Sequence, residues 1–206
     1  MALHVADHPL LHDIMARLRD RTTNCEEFRT LAHRISLLLV AEATSDIPTV
    51  AGTVETPLET AAARRVSARV VAVPVLRAGL GMLQAFLDLV PAAEVGYFGL
   101  ERDETTAVAR RYYEKVPPRL GEAVVFLLDP MLATGGSAAM AVDGLEGMGA
   151  RQVRLVSIVA APEGVARLQE ASPGVEIYTA ALDRGLNERK YILPGLGDFG
   201  DRLYGT

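Results

Sequence analysis

A doubly wound, mostly parallel α/β sheet is the fold this sequence predicts, and three observations carry the prediction. Val124, Val125, Phe126, Leu127 and Leu128 form a continuous apolar run, the pattern of a central strand covered on both faces. Segments of this kind alternate along the chain with segments of helical period, the order that builds a doubly wound sheet. The run at 124–128 also passes without a break through a glycine-containing loop into a helical pattern. Ligands of such sheets bind beyond the carboxyl ends of the strands, where junctions of this kind lie.

Each element follows from local chemistry. Pro9 to Asp20 and Thr23 to about Thr44 read as amphipathic helices. Thr23 with Glu26 has capping-box spacing, and Phe28, Leu31, Ile35 and Leu38 then trace an apolar face. Ile47 to Arg65 mixes Pro, Gly and Thr with short β-branched stretches, which predicts a peripheral hairpin and a helical turn. Arg69 to Val75 reads as a buried strand, Leu80 to Val90 as a helix and Glu94 to Leu100 as a strand. After the run at 124–128 comes a helix with Ala141, Leu145 and Met148 on one face. Val153 to Ala160 is then a strand, Pro162 to Ala171 a helix and Val175 to Ala181 a strand. Pro162 suits a helix start, where its missing N–H costs nothing. The last thirty residues are too rich in glycine for a helix and too apolar for disorder.

The junction at 124–145 carries the first chemical reading. Asp129 stands at the strand's carboxyl end, followed by Pro130 and the run Ala133-Thr134-Gly135-Gly136-Ser137. Backbone N–H groups and a helix N-terminus converge on one point there, which suits a phosphate. The neighbouring acid can take the hydroxyls of an attached sugar. Turn glycines with no ligand are the simpler alternative. The loop has no lysine followed by Ser/Thr for a Walker motif and no G-x-G-x-x-G for a dinucleotide fingerprint.

Composition bounds the rest. A chain of 206 residues, half of them hydrophobic, is long enough for one well-buried domain, expected over residues 1–206. No apolar run approaches the ~20 residues that cross a bilayer, so no membrane partner is expected. The start lacks the pattern of a secretory signal. Cys25 is the only cysteine, which excludes an intramolecular disulfide and fits a reducing cytoplasm. A net charge of −5 speaks against a broad nucleic-acid footprint.

The segment Val124 to Leu145 closely resembles the phosphoribosyl-diphosphate (PRPP) signature of type I phosphoribosyltransferases. Most of that superfamily has two adjacent acids after the strand. Here the second is proline, Asp129-Pro130, which is typical of its uracil phosphoribosyltransferase family. VPVLRAGLGM (73–82) resembles that family's diphosphate loop, and GLERDETT (99–106) the segment opening its flexible hood. VAAPEGVARL (159–168) and the tail from Tyr178 to Thr206 resemble its last third. The resemblance runs from His8 to the carboxyl terminus.

What the resemblance implies is specific. The fold would be that of type I phosphoribosyltransferases, with an amino-terminal helical region at about 8–44, a hood with a β-hairpin flap at about 101–119, and a uracil-recognition tail at about 183–206. The substrates would be uracil and PRPP, and the products UMP and diphosphate. Arg77, Asp129 and Asp198 would be catalytic. PRPP would meet Arg77, Arg102, Asp129, Pro130, Met131, Leu132, Ala133, Thr134, Gly135, Gly136, Ser137 and Asp198. Uracil would meet Tyr191, Ile192, Gly197, Asp198 and Phe199. Mg²⁺ would arrive mainly through PRPP. The family often has a small residue at position 199, so uracil contacts there are expected through the Phe199 backbone. A non-proline cis peptide is common in the diphosphate loop, which points to Arg77-Ala78.

Bland alternatives stand beside these roles. On type alone Arg77 reads better as a surface arginine, a reading that the match of VLRAGLGM to the family loop reverses, and Arg102 reads as an ion-pair partner of Glu101, Asp103 or Glu104. Asp198 reads as a solvated aspartate. The flap-like stretch 110–115 departs from the family in Arg110 and Arg111, which fit a solvated face as well as a lid. His4, His8, His12 and His33 are expected in the amino-terminal helical region, as surface or interface residues. The family is at least dimeric, so a homodimer or higher homo-oligomer is expected. Some members are activated by GTP, and no residue here decides that. A phosphoribosyltransferase for another base and an RNA-binding regulator on the same fold are the competing functions. Asp129-Pro130, the GLGDFGD tail and the acidic balance disfavour them.

Overall fold

A computed structural model describes residues 2–102 and 109–206. In chain order the elements are β1 (Leu3–Val5), α1 (Pro9–Arg19), α2 (Cys25–Ala43), β2 (Thr49–Glu55), β3 (Thr60–Val66), β4 (Arg69–Leu76), α3 (Leu80–Leu89), β5 (Glu94–Val95), β6 (Tyr97–Arg102) and β7 (Ala109–Lys115). They continue with β8 (Ala123–Leu128), β9 (Met131–Leu132), α4 (Gly136–Gly147), β10 (Gln152–Ala160), α5 (Pro162–Ala171), β11 (Glu176–Leu182), β12 (Gly185–Leu186), β13 (Ile192–Leu193) and α6 (Phe199–Tyr204).

The main sheet runs β1-β11-β10-β8-β4-β6-β7, with β5 added beside β4 and β9 beside β10. Its pairs are parallel except the edge pair β6–β7. All six residues of β8 are buried, as are the inner six of β4 and all of β10 after Gln152. Near-continuous apolar runs become central strands because both faces are covered. Side chains alternate between two cores. Phe126 and Leu128 face Ile35, Leu39 and Phe86 from α2 and α3. Val125 and Leu127 face Ala141, Leu145 and Leu168 from α4 and α5. Each fully buried side chain of this size contributes roughly 1.5–3 kcal/mol to that packing. The predicted α/β class is therefore the observed one.

Several local expectations are corrected. The α2 cap is Asn24, whose side chain accepts from the N–H of Glu27 at 2.9 Å. Thr23 instead donates its hydroxyl to the Arg17 carbonyl at 2.6 Å, because the turn after α1 aims it backward. The 47–65 region is the antiparallel hairpin β2–β3 without a helical turn; the Thr56 hydroxyl closes the tip by donating to the Glu59 carbonyl. The 94–100 strand is interrupted between β5 and β6. His4 lies on β1, which no sequence pattern announced, and stacks on Tyr178 with ring centroids 4.4 Å apart. The glycine-rich tail does contain a helix, the short α6, because Asp198 caps it by accepting from the N–H of Asp201 at 2.9 Å.

Among the described residues, no helix is long and apolar enough to cross a membrane.

Candidate functional site

Two adjoining clefts open beyond the carboxyl ends of β4, β8 and β10. The first, about 180 Å³, is walled by residues 75–78 of the loop after β4, by Leu100, by Asp129, and by Met131 through Ala138. The second, about 480 Å³, is walled by Arg189 through Ile192 and by Gly197 through Gly200. Ala78, Met131 and Ala133 line both, so the clefts meet along one wall.

The first cleft is built around the start of α4. Gly135 adopts φ 74° at the position before the helix, and no side chain caps it. The first intrahelical bond runs from the N–H of Ala139 to the Gly135 carbonyl at 2.9 Å. The N–H groups of the preceding turn are therefore not used by the helix, and among the described residues only a 3.5 Å contact joins that of Gly136 to the Thr134 hydroxyl. With the helix dipole behind them they form a site for an anion. Ser137 and Thr134 add hydroxyls at the same wall.

Asp129 follows β8 and is half-buried at the cleft wall. Among the described residues its carboxyl accepts one long contact, 3.5 Å from the Met131 N–H. The protein packed around it pushes its pKa up to about 6, and that N–H pulls weakly the other way. A carboxyl poorly supplied with partners and held against its charge is suited to receiving sugar hydroxyls.

Across the cleft, Arg77 is exposed after β4. The cis peptide of this loop is Leu76–Arg77, one bond earlier than the expected Arg77-Ala78. The Arg77 carbonyl accepts from the N–H of Leu80 at 3.1 Å and from the Tyr204 hydroxyl at 3.2 Å.

The second cleft is organised by backbone. The Asn187 side chain accepts from the N–H groups of Arg189 and Tyr191, both at 2.9 Å. Ile192 is buried and Tyr191 half-exposed. The Leu193–Pro194 peptide is cis. Phe199 is 1% exposed and meets Phe28 edge-on at 5.3 Å, so it offers the cleft mainly backbone, as its size suggested. Asp198 is exposed at the cleft while one of its oxygens caps α6.

Of the residues singled out from sequence, Arg77, Asp129 and the run from Met131 to Ser137 meet in the first cleft. Tyr191, Ile192, Gly197, Asp198 and Phe199 meet in the second. Pro130 lines neither cleft. It is buried, and its carbonyl accepts from the N–H groups of Ile158 and Val159 at 3.0 and 3.1 Å. Arg102 ends β6, but its side chain and the hood residues 103–108 lie outside the described residues, and with them the suggested partners Asp103 and Glu104. Arg110 and Arg111 are exposed on β7, where Arg111 pairs with Glu114.

Sequence reasoning missed supporting residues. Asp183 is 7% exposed and holds Arg19 through both oxygens at 2.7 and 2.8 Å, while also accepting from the N–H of Gly195 at 2.8 Å. Arg19 donates further to the Gly195 carbonyl at 2.9 Å. These bonds pin the loop under the second cleft to α1. An acid directly after a buried strand, as in Leu182-Asp183, was the available signal. Arg189 and Lys190 line the cleft without having been singled out.

Known proteins resemble this chain over nearly its whole length. A family model described as uracil phosphoribosyltransferase matches residues 5–206. The uracil phosphoribosyltransferase of Pediococcus pentosaceus is 49% identical over 203 residues, covering 98% of this chain and 97% of its own. That of Symbiobacterium thermophilum is equally similar, at 49% with the same coverage. Among solved structures, the AQ2163 protein from Aquifex aeolicus has a TM-score of 0.93 and 37% identity, covering 100% of this chain and 99% of that one.

Proposed function

The chain belongs to the uracil phosphoribosyltransferase family, and from that premise we propose that it transfers the phosphoribosyl group of PRPP to uracil. In this reaction the bond from C1 of the ribose to the diphosphate oxygen breaks. A bond from C1 to N1 of uracil forms, and the N1 proton is lost. The products are UMP and diphosphate, which makes the enzyme a pentosyltransferase of pyrimidine salvage.

The observation that carries the reading is the shared wall of the two clefts, Ala78, Met131 and Ala133. A sugar phosphate in the first and a planar base in the second would meet there. The start of α4 would hold the 5′-phosphate and Asp129 the 2′- and 3′-hydroxyls. Arg77 and Arg102 would face the diphosphate, where charge gathers as C1 acquires oxocarbenium character. Uracil presents O2, N3–H and O4 on one edge, a pattern that backbone groups around Ile192 and Gly197 can match. Asp198, at the rim, is the carboxylate available to the N1 proton.

Mg²⁺ fits these residues as an ion carried by PRPP. Among the described residues no group of three His, Cys, Asp or Glu could hold a metal by itself. The Asp129 carboxyl, with a single long contact among the described residues, retains acceptor capacity for the ion's water shell. When bound, the ion neutralises charge on the diphosphate.

Further parts of the proposal are a cytoplasmic location, which the lone cysteine suits, and a homodimer or higher homo-oligomer. The exposed hairpin β2–β3, with Val50, Val54 and the 95% exposed Leu58, supports association.

The test is UMP formation from uracil, PRPP and Mg²⁺, run beside orotate and hypoxanthine. Product with uracil alone is expected. Turnover of another base in its place, or binding of a transcript leader at moderate salt without any turnover, would overturn the reading.

A further inference from the structure

We propose that Tyr204 is a positioning residue for Arg77, making the carboxyl-terminal helix a strut between the two clefts. The inference rests on the assignment of the first cleft to PRPP and deepens it. Helix α6 starts at Phe199, on the wall of the second cleft. It ends at Tyr204, whose hydroxyl donates to the Arg77 carbonyl at 3.2 Å. That carbonyl already accepts from the N–H of Leu80, so the Tyr204 bond is the only one of the two that reaches the loop from a distant part of the chain. It fixes the peptide plane directly after the arginine.

A six-residue helix is a poor strut unless it is itself fixed, and α6 is. Phe199 and Leu203 are buried, at 1% and 4% exposure. Leu203 packs onto α3 so closely that a Cβ on Gly81 would lie 2.7 Å from its Cδ2. The Leu203 carbonyl accepts from the Cys25 thiol and from Arg29, both at 3.2 Å. Arg202 donates to the carbonyls of Leu18, Leu196 and Asp20, the last two at 2.8 and 2.6 Å. Its guanidinium also lies 4.4 Å over the Phe28 ring. Partial burial raises the pKa of Tyr204, against the opposite pull of the Arg77 charge, so the hydroxyl stays a neutral donor. A displacement of residues 198–199 by a bound base would thus be felt at the Arg77 peptide.

Tyr204→Phe removes the donor while keeping the ring. Binding of inorganic diphosphate with Mg²⁺, measured by calorimetry, should weaken roughly fivefold, the worth of about one net hydrogen bond. The KM for PRPP should rise similarly, with the KM for uracil within about twofold. In an Arg77→Ala background the same change should cost less than about twofold, since the group being positioned is gone. Wild-type affinity in Tyr204→Phe, an equal loss in both backgrounds, or no diphosphate binding by the wild type would overturn the proposal. If the wild type binds diphosphate but forms no UMP, the function is misassigned, and the two-background comparison of diphosphate binding still decides the role of Tyr204.

Discussion

Gly135 and Gly164 meet backbone to backbone where the anion-binding turn crosses the start of α5. A Cβ on Gly135 would lie 2.6 Å from the Gly164 carbonyl oxygen. One on Gly164 would lie 2.5 Å from the Ala133 carbonyl and 2.8 Å from that of Leu132. These neighbours are main chain, which cannot swing aside. Gly164→Ala should therefore push the 133–136 turn out of place. A rise of roughly tenfold or more in the KM for PRPP is expected, with a loss of about 1–3 kcal/mol from overpacking. Steady-state kinetics and denaturant unfolding check this, and a Gly164→Ala enzyme with unchanged KM would refute it.

The Arg19–Asp183 pair makes a different prediction for the second cleft. Among the described residues, Arg19→Ala leaves the enclosed Asp183 carboxylate with only the Gly195 N–H. Breaking a buried pair from one side costs about 3–5 kcal/mol. With 24% exposure on the arginine side chain, the lower figure is expected. Loosening of the Gly195 loop should raise the KM for uracil more than that for PRPP. Equal changes in both would mean the pair serves stability alone.

Arg77→Ala tests the diphosphate assignment directly. Removing one donor to developing negative charge costs ~3 kcal/mol, or roughly a hundredfold in kcat/KM. A variant within about twofold of wild type would end that role. Arg77 is exposed and, apart from its backbone, carries no part of the core, so its folding stability should hardly change.

How much of this was legible beforehand depends on range. The central strands could be read because burial on both faces writes an unbroken apolar run, as in β8 and β10. The anion-binding turn could be read because its glycines and small residues follow such a run directly. Strand β1 could not, since three residues carry no period; β11 beside it decides its conformation. Helix α6 was hidden for a similar reason. Its glycine content opposes a helix locally, and burial of Phe199 and Leu203 with an Asp198 cap overrides that propensity. The Arg19–Asp183 and Tyr204–Arg77 contacts join residues far apart in sequence, which no local pattern encodes.

The last prediction follows from Asp129. Its pKa stands near 6 in the fold against an ordinary 3.8, chiefly through burial. Above pH 6 the folded chain holds a carboxylate that the unfolded chain would hold more comfortably in water, so the group lowers stability there. As pH falls from about 6 toward 4, the folded state takes up a proton before the unfolded state does, and the penalty disappears. Asp129→Asn should accordingly stabilise the ligand-free protein near pH 8 by up to about 3 kcal/mol, or several degrees in Tm. Near pH 4 it should do almost nothing. The same variant should lose most of its activity at every pH, because the ribose hydroxyls lose their charged acceptor. Thermal unfolding of both proteins across this range reads the difference. A Tm gap that stays constant with pH would show that Asp129 is not held against its charge, and that the site does not trade stability for sugar binding at this residue.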